Sequence, residues 1–341
     1  MNFASDNTAP IPPQIMAALA RANQGYAMGY GNDPLTARVQ ARVREVFEAP
    51  QAAVHLVSTG TAANSLSLAL LCPPWGAVFC EAEAHVAVDE CGAPEFFTAG
   101  AKLVGVPGEH GRMSPEGLAQ ALARTGASGV HGVQRGALSI TNVTEAGTVY
   151  DPDAIAALTA LAKAQGIPSH LDGARFANAL VATGATAAEM TWKAGIDVVS
   201  FGGTKNGLMG VEAVVVFDPA RAWELELRRK RAGHLASKMR YLAAQMDGWL
   251  EDGLWMTLAA HANAMAARLA QGIAAHATPL HPVQANIIFA RWPVGTHDRL
   301  RAAGAVYYPW TAPEGSEAAR LVTSWSTTEA DVDAFVAALS G

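Results

Sequence analysis

Short apolar runs and helically spaced apolar residues take turns along most of this chain. The segments "AAVHLVS", "GAVFCEA", "KLVGVPG", "ALSITNV", "PSHLDGA", "DVVSFGG" and "VEAVVVF" are apolar and bounded by turn residues, the pattern of strands buried on both faces. Among them, "TGTAANSLSLALL" and "DPDAIAALTALAKAQ" read as helices, the second with Asp151 placed to cap its N-terminus. A further helix is expected near 86–99. Ahead of this run the chain predicts an extended arm with Pro10, Pro12 and Pro13, a helix over "PQIMAALARANQ", a turn at "GYAMGYGNDP" and a helix over "DPLTARVQARVREVF". The alternation predicts an α/β fold with a mostly parallel sheet covered on both faces. Such sheets bind ligands outside the carboxyl ends of their strands.

After residue 221 the pattern changes. A long helical region is expected over about 221–275, then strands at "ANIIFARWP", "AVYYPW" and "RLVTSW", and a closing helix at "TEADVDAFVAAL". Two units are therefore expected: an arm and large α/β domain over 1–235, and a smaller α+β domain over 236–341.

Half of the 341 residues are hydrophobic, 16% are charged, and the formal net charge is −6. That is ample material for a large core, and the acidic balance argues against nucleic acid or an anionic membrane as a partner. The basic run Arg228-Arg229-Lys230-Arg231, taken alone, reads as a solvated helix face. Cys72, Cys80 and Cys91 form no CxxC pair and stand beside no histidine cluster, so neither a disulfide framework nor a metal site is expected. "MNFASDNTAP" lacks the regions of a signal peptide and "LSLALLCPPW" is too short to cross a bilayer, so a cytoplasmic location is expected.

The candidate chemistry starts from one lysine. In "DVVSFGGTKNGLMGVEAVVVF", Lys205 stands in a glycine-rich turn between two apolar strands, where an ammonium needs a partner. At "STGTAAN" a turn ends a strand and opens a helix, so the backbone at Gly60 and Thr61, with Thr59 beside them, favours an anion such as phosphate. An ordinary strand–helix turn has the same look, and no Walker A or GxGxxG pattern is present. In "HLDGARFANA", Asp172 ends an apolar strand and Arg175 follows. The two either pair with each other or face a ligand. A lysine that condenses with a carbonyl, an acid for a pyridine nitrogen and an anion cradle are what pyridoxal 5′-phosphate (PLP) requires. Cradle, acid and lysine follow in order at strand ends, so PLP is the expected cofactor.

These residues, with "FASDN", "YGND", "EAHVAVDECGAPEF", "SFGGTKNG" and "ARLVTSW", resemble the low-specificity L-threonine aldolases, PLP enzymes of fold type I in the β-eliminating lyase group. The resemblance runs from residue 3 to about residue 325. It implies an aspartate-aminotransferase-like fold and cleavage of a small amino-acid substrate, L-threonine or L-allo-threonine, to glycine and an aldehyde. By this resemblance Lys205 would hold PLP covalently, Asp172 would pair with the ring nitrogen, and Arg175 would contact the ring oxygen and the substrate. Gly60 and Thr61 would hold the phosphate. His85, an ordinary loop histidine when taken alone, would stack on the ring face. Ser5 and Arg320 would bind the substrate carboxylate, with Tyr30, Asp6 and Glu90 in matching segments. Arg231, Lys238 and Arg240 would reach a neighbouring subunit's phosphate, which implies a homo-oligomer, a dimer of dimers.

One segment, "TNVTEAGTVY", departs from the family pattern, with Thr144 where many members carry a histidine. The nearby His131 reads as structural. His85, directly or through a water, is then the expected base for the β-hydroxyl. A phenylserine aldolase, a β-eliminating lyase or a silent PLP-binding protein are the competing readings.

Overall fold

The structure, a computed structural model, describes residues 1–341. A seven-stranded sheet runs in the spatial order Ala53–Val57, Glu212–Val216, Val198–Gly202, Ser169–Gly173, Gln134–Thr141, Gly76–Glu81, Lys102–Val106. Neighbours are parallel except Glu212–Val216, which is antiparallel to both of its flanks. Every strand expected in this region is present. Four of them, Ala53–Val57, Ser169–Gly173, Val198–Gly202 and Glu212–Val216, are buried at every residue. Sheets covered on both faces read as continuous apolar runs, and side chains alternate between the two covers. Thus Val54 and Leu56 pack with helices Pro34–Val46 and Arg240–Leu250, while Ala53 and Val57 pack with Gly60–Leu71. The only acidic residues in those four strands are Asp172 and Glu212.

A second sheet, antiparallel throughout, orders Thr278–Pro279, Ile287–Pro293, Ser316–Val322 and Tyr308–Trp310. Helix Glu329–Ser340 and the later part of Leu254–Ile273 cover it. Phe3 belongs to that core: its N–H donates to the Val306 carbonyl and its carbonyl accepts from Val322 N–H, both at 2.8 Å. Residues 239–259 pack with the large sheet instead.

Two expectations are corrected. The long helical region is three helices, Ala222–Arg231, Arg240–Leu250 and Leu254–Ile273. Gly233 (φ +79°) ends the first, and Asp252 (φ +51°) and Gly253 (φ +69°) separate the other two, because left-handed backbone cannot continue a right-handed helix. The helix expected near 86–99 is a pair, His85–Val88 and Ala93–Phe97, parted by Cys91 and Gly92, both at positive φ. No helix is long and apolar enough to cross a membrane.

Candidate active site

Lys205 lies in a single 3₁₀ turn, Thr204–Asn206, directly after strand Val198–Gly202. The glycines before it answer to crowding. A Cβ on Gly202 would stand 2.6 Å from Ala174 Cα, and one on Gly203 would stand 2.9 Å from the Val211 carbonyl oxygen. Glu212 accepts Gly203 N–H at 2.6 Å, and Trp249 Nε1 donates to the Asn206 carbonyl at 3.0 Å. The turn is clamped, yet Lys205 Nζ has no hydrogen-bond or ion-pair partner and lines two joined cavities.

The inner cavity, about 270 Å³, is walled by Ser58–Thr61, Asn64, His85, Glu90, Asp172 and Glu212. Thr59 Oγ1 accepts Ala62 N–H at 3.1 Å and caps helix Gly60–Leu71. The N–H groups of Gly60 and Thr61 then have no partner within the helix. A Cβ on Gly60 would meet nothing within 4 Å, so the space beside this terminus is open. Asp172, 2% exposed, accepts from Ala174 N–H at 3.0 Å and from Asn64 Nδ2 at 2.9 Å. Asn64 Nδ2 also donates to Glu90 Oε1 at 2.9 Å, and that same oxygen bonds His85 Nδ1 at 2.8 Å. One hydrogen-bonded line therefore runs His85–Glu90–Asn64–Asp172. The bond to Glu90 raises the His85 pKa against the effect of its burial. Below this line, His170 is fully buried between Ser139 and Ser200, and burial pushes its pKa down to about 4. Burial pushes the Glu212 carboxyl up to about 7.

The outer cavity, about 790 Å³, shares Asn7, His85 and Lys205 with the inner one and adds Ser5, Glu145, Arg175, Tyr308, Trp310 and Arg320. Asp172 and Arg175 do not pair. Arg175 instead grips Asp6 with two bonds, Nε to Oδ2 at 2.7 Å and Nη2 to Oδ1 at 3.0 Å, and Asn286 Nδ2 donates to Asp6 at 3.1 Å. Burial opposes the Asp6 charge, but Arg175 holds its carboxyl below the usual range. Ser5 Oγ accepts Asn7 N–H at 3.2 Å. Arg320 has no ion-pair partner, and burial, then the like charge of Arg175, lower its pKa.

Of the residues expected from sequence, Gly60, Thr61, His85, Asp172 and Lys205 meet at the inner cavity, and Ser5, Arg175 and Arg320 at the outer one. Tyr30, Arg231, Lys238 and Arg240 line neither. Tyr30 is half exposed at φ +59° with Lys230 Nζ 5.0 Å from its ring centre, and Arg240 donates to the Gly25 carbonyl at 3.0 Å. Thr144 is buried and bonded to Thr148 Oγ1 at 2.8 Å. Sequence reasoning missed Asn64, Glu212, Asn7 and Glu145. A polar residue inside an apolar helix, and an acid opening an apolar strand, were usable signals for the first two. The loop residues Asn7 and Glu145 offered none.

These residues fit PLP: an open anion cradle at a helix N-terminus, a buried carboxylate bonded but with acceptor capacity left, and a lysine with no other partner. On this sheet order they define a PLP-dependent enzyme of fold type I. The beta-eliminating lyase family matches residues 2–292. The chain is 43% identical over 332 residues to a low specificity L-threonine aldolase from a Pseudomonas species, covering 97% of this chain and 94% of that one. A second such aldolase, from Pseudomonas aeruginosa, is 43% identical over 328 residues, 95% of this chain and 93% of that one. A threonine aldolase structure from Leishmania major superposes with a TM-score of 0.94 at 30% identity, over 99% of this chain and 98% of that one. The chain belongs to the β-eliminating lyase family, among its low-specificity L-threonine aldolases.

Proposed function

We propose that the protein cleaves β-hydroxy-α-amino acids, L-threonine and L-allo-threonine first among them, to glycine and an aldehyde. One observation carries this reading. Lys205 and Arg320, two basic side chains without an acidic partner, line one cavity. The first offers an amine to a carbonyl and the second a fork to a carboxylate. PLP, when bound, supplies an acceptor for the electron pair left at Cα when the Cα–Cβ bond breaks.

The chain's own residues do the rest. Lys205 supplies the amine that tethers the cofactor. Gly60 and Thr61 would hold the phosphate, Asp172 would serve the ring nitrogen, and His85, fixed by Glu90, would lie beside the ring. Arg175, steadied by Asp6, would offer N–H groups not bonded to Asp6 to the ring oxygen and substrate. Ser5 and Arg320 grip the substrate carboxylate, and that grip decides which Cα bond is aligned for cleavage. Tyr30, Arg231, Lys238 and Arg240 complete the site of a second subunit in a homo-oligomer, a dimer of dimers. Tyr30, Arg231 and Lys238 are exposed, and the half-buried Arg240 bonds the Gly25 carbonyl next to the fully exposed Tyr26, which supports this. We place the enzyme in the cytoplasm. The chain divides into two lobes, and the packing of 239–259 on the large sheet favours a join within helix Leu254–Ile273 over one at 235/236.

A larger β-substituent, as in phenylserine, is a second reading, favoured by the 790 Å³ outer cavity with Phe289, Tyr308 and Trp310 in its wall. The test is product analysis on L-threonine, L-allo-threonine, their D-forms and phenylserine. Glycine and aldehyde in equal amounts are expected from L-substrates. Pyruvate and ammonia instead would convert the reading to β-elimination, and cofactor binding with no turnover would leave a silent protein.

A further inference from the structure

We infer that Glu145 is the group that takes the β-hydroxyl proton during cleavage, an assignment that rests on the aldolase reading above. Glu145 lines the outer cavity with Lys205 and Arg320. It is half-buried and has neither a hydrogen bond nor an ion pair of its own. Its loop is pinned. Three bonds of 2.9–3.1 Å close around it: Thr144 N–H to the Thr148 carbonyl, Gly147 N–H to the Thr144 carbonyl and Thr148 N–H to Thr144 Oγ1. The two threonine hydroxyls meet at 2.8 Å, and Thr148 Oγ1 donates to the His110 carbonyl at 2.6 Å. A Cβ on Gly147 would stand 2.7 Å from the Ile287 carbonyl oxygen, so the loop presses on the small sheet with no slack. This bracing leaves the Glu145 side chain on the cavity wall.

Its charge acts on His85, Arg175 and Arg320, yet it lies beyond the 4.0 Å of an ion pair from each. A carboxylate and an unpaired guanidinium kept apart across one cavity leave room for a small amino acid between them. The other acids there are engaged or outside. Asp6 holds Arg175, Glu81 accepts Glu83 N–H at 2.7 Å, Glu83 is exposed, and Asp89 is 80% exposed at 3.6 Å from His85 Nε2. His85, the base expected from sequence, already gives its Nδ1 to Glu90. That bond favours the protonated ring, which suits a donor better than an acceptor.

In the step proposed, the O–H bond of the β-hydroxyl breaks and its proton passes to a Glu145 oxygen. The O–H pair becomes the second bond of the aldehyde carbonyl. The Cα–Cβ pair stays with Cα, which gains a proton to give glycine. Protons and electrons balance without a further reactant.

The test compares two reactions of the PLP-loaded enzyme: aldehyde release from L-allo-threonine, and exchange of the glycine Cα proton with deuterated water, which involves no β-hydroxyl. In Glu145→Gln, kcat for cleavage is expected to fall about 10²–10⁴-fold, with glycine exchange within about threefold of wild type, and Glu145→Asp should recover part of the loss. Cleavage by Glu145→Gln at the wild-type rate overturns the assignment alone. An equal fall in both reactions also overturns it, by making Glu145 a support for the site. Wild-type protein that exchanges glycine but cleaves no β-hydroxy amino acid overturns the aldolase reading and this assignment with it.

Discussion

The inner and outer cavities share Lys205 and His85 but are held in opposite ways. The inner wall is made of strand ends and a helix terminus, and its acids are bonded: Asp172 to Asn64 and Ala174, Glu90 to Asn64 and His85, Glu212 to Gly203. The outer wall is assembled from the arm, the loop at 145 and the small sheet, and two of its charged groups, Glu145 and Arg320, have no partner. A floor whose acids are already held by hydrogen bonds suits chemistry common to all PLP enzymes, because preorganised groups do not reorganise as charge develops. An unsatisfied mouth suits selection, because its charges await those of the substrate.

Five substitutions and one pH series bear on this contrast. Lys205→Ala should cost the most: cofactor absorbance in the visible should vanish and turnover should drop more than about 10³-fold, over about 4 kcal/mol. Retained aldehyde release would remove the floor from the chemistry. Asp172→Asn should keep cofactor but slow cleavage by about 10²–10³-fold, near 3–4 kcal/mol. A loss under about threefold would leave the carboxylate without its role.

The floor should also show in stability. His170 has its pKa depressed from 6.5 to about 4, so the folded chain resists a proton that the unfolded chain accepts. Stability is full above the ordinary value and falls as pH drops from about 6.5 toward about 4, by up to about 3 kcal/mol from this residue. Denaturant midpoints at pH 7 and 4.5 should show it, and His170→Asn should flatten the difference. An unchanged pH slope in that variant would place the acid sensitivity elsewhere.

At the mouth, Arg320→Ala should leave the cofactor spectrum normal while KM rises and kcat falls, about 2–3 kcal/mol in kcat/KM. Unchanged kinetics would return Arg320 to a structural place. The smallest effect is expected for Trp310→Ala, which removes an aromatic packed edge-on to Phe289 at 4.9 Å. The ratio of kcat/KM for phenylserine over L-threonine should fall by roughly 5–10-fold, about 1 kcal/mol, with cofactor binding unmoved. A weakened cofactor spectrum there would erase the boundary between the two regions.

The same boundary separates what could be read in the sequence from what could not. Gly60, Asp172 and Lys205 stand at strand ends flagged by local motifs, and an apolar run that stops at an acid or a glycine is visible in a few residues. The strands were legible for the same reason. Arg175 was legible as a site residue but its partner was not, because Asp6 lies 169 residues away and nothing local distinguishes Asp6 from Asp172 as its acid. Glu145 was hidden because its setting depends on the Thr144–Thr148 rung and on contact with Ile287. The breaks in the long helical region were hidden in part because Asp252, at positive φ, carries no sequence mark of its own.

The stitching of the arm also bears on how the molecule is made. Residues 2–6 are synthesised early, but their partners are Arg175, Asn286, Val306 and Val322. At roughly 5–20 residues per second, the arm waits on the order of 15–60 s for Val306 to emerge. The large sheet and the lysine turn are complete in sequence by Val216. A growing chain therefore carries the floor of its site well before the mouth exists, and residues 2–6, made ahead of both, are among the last to be docked.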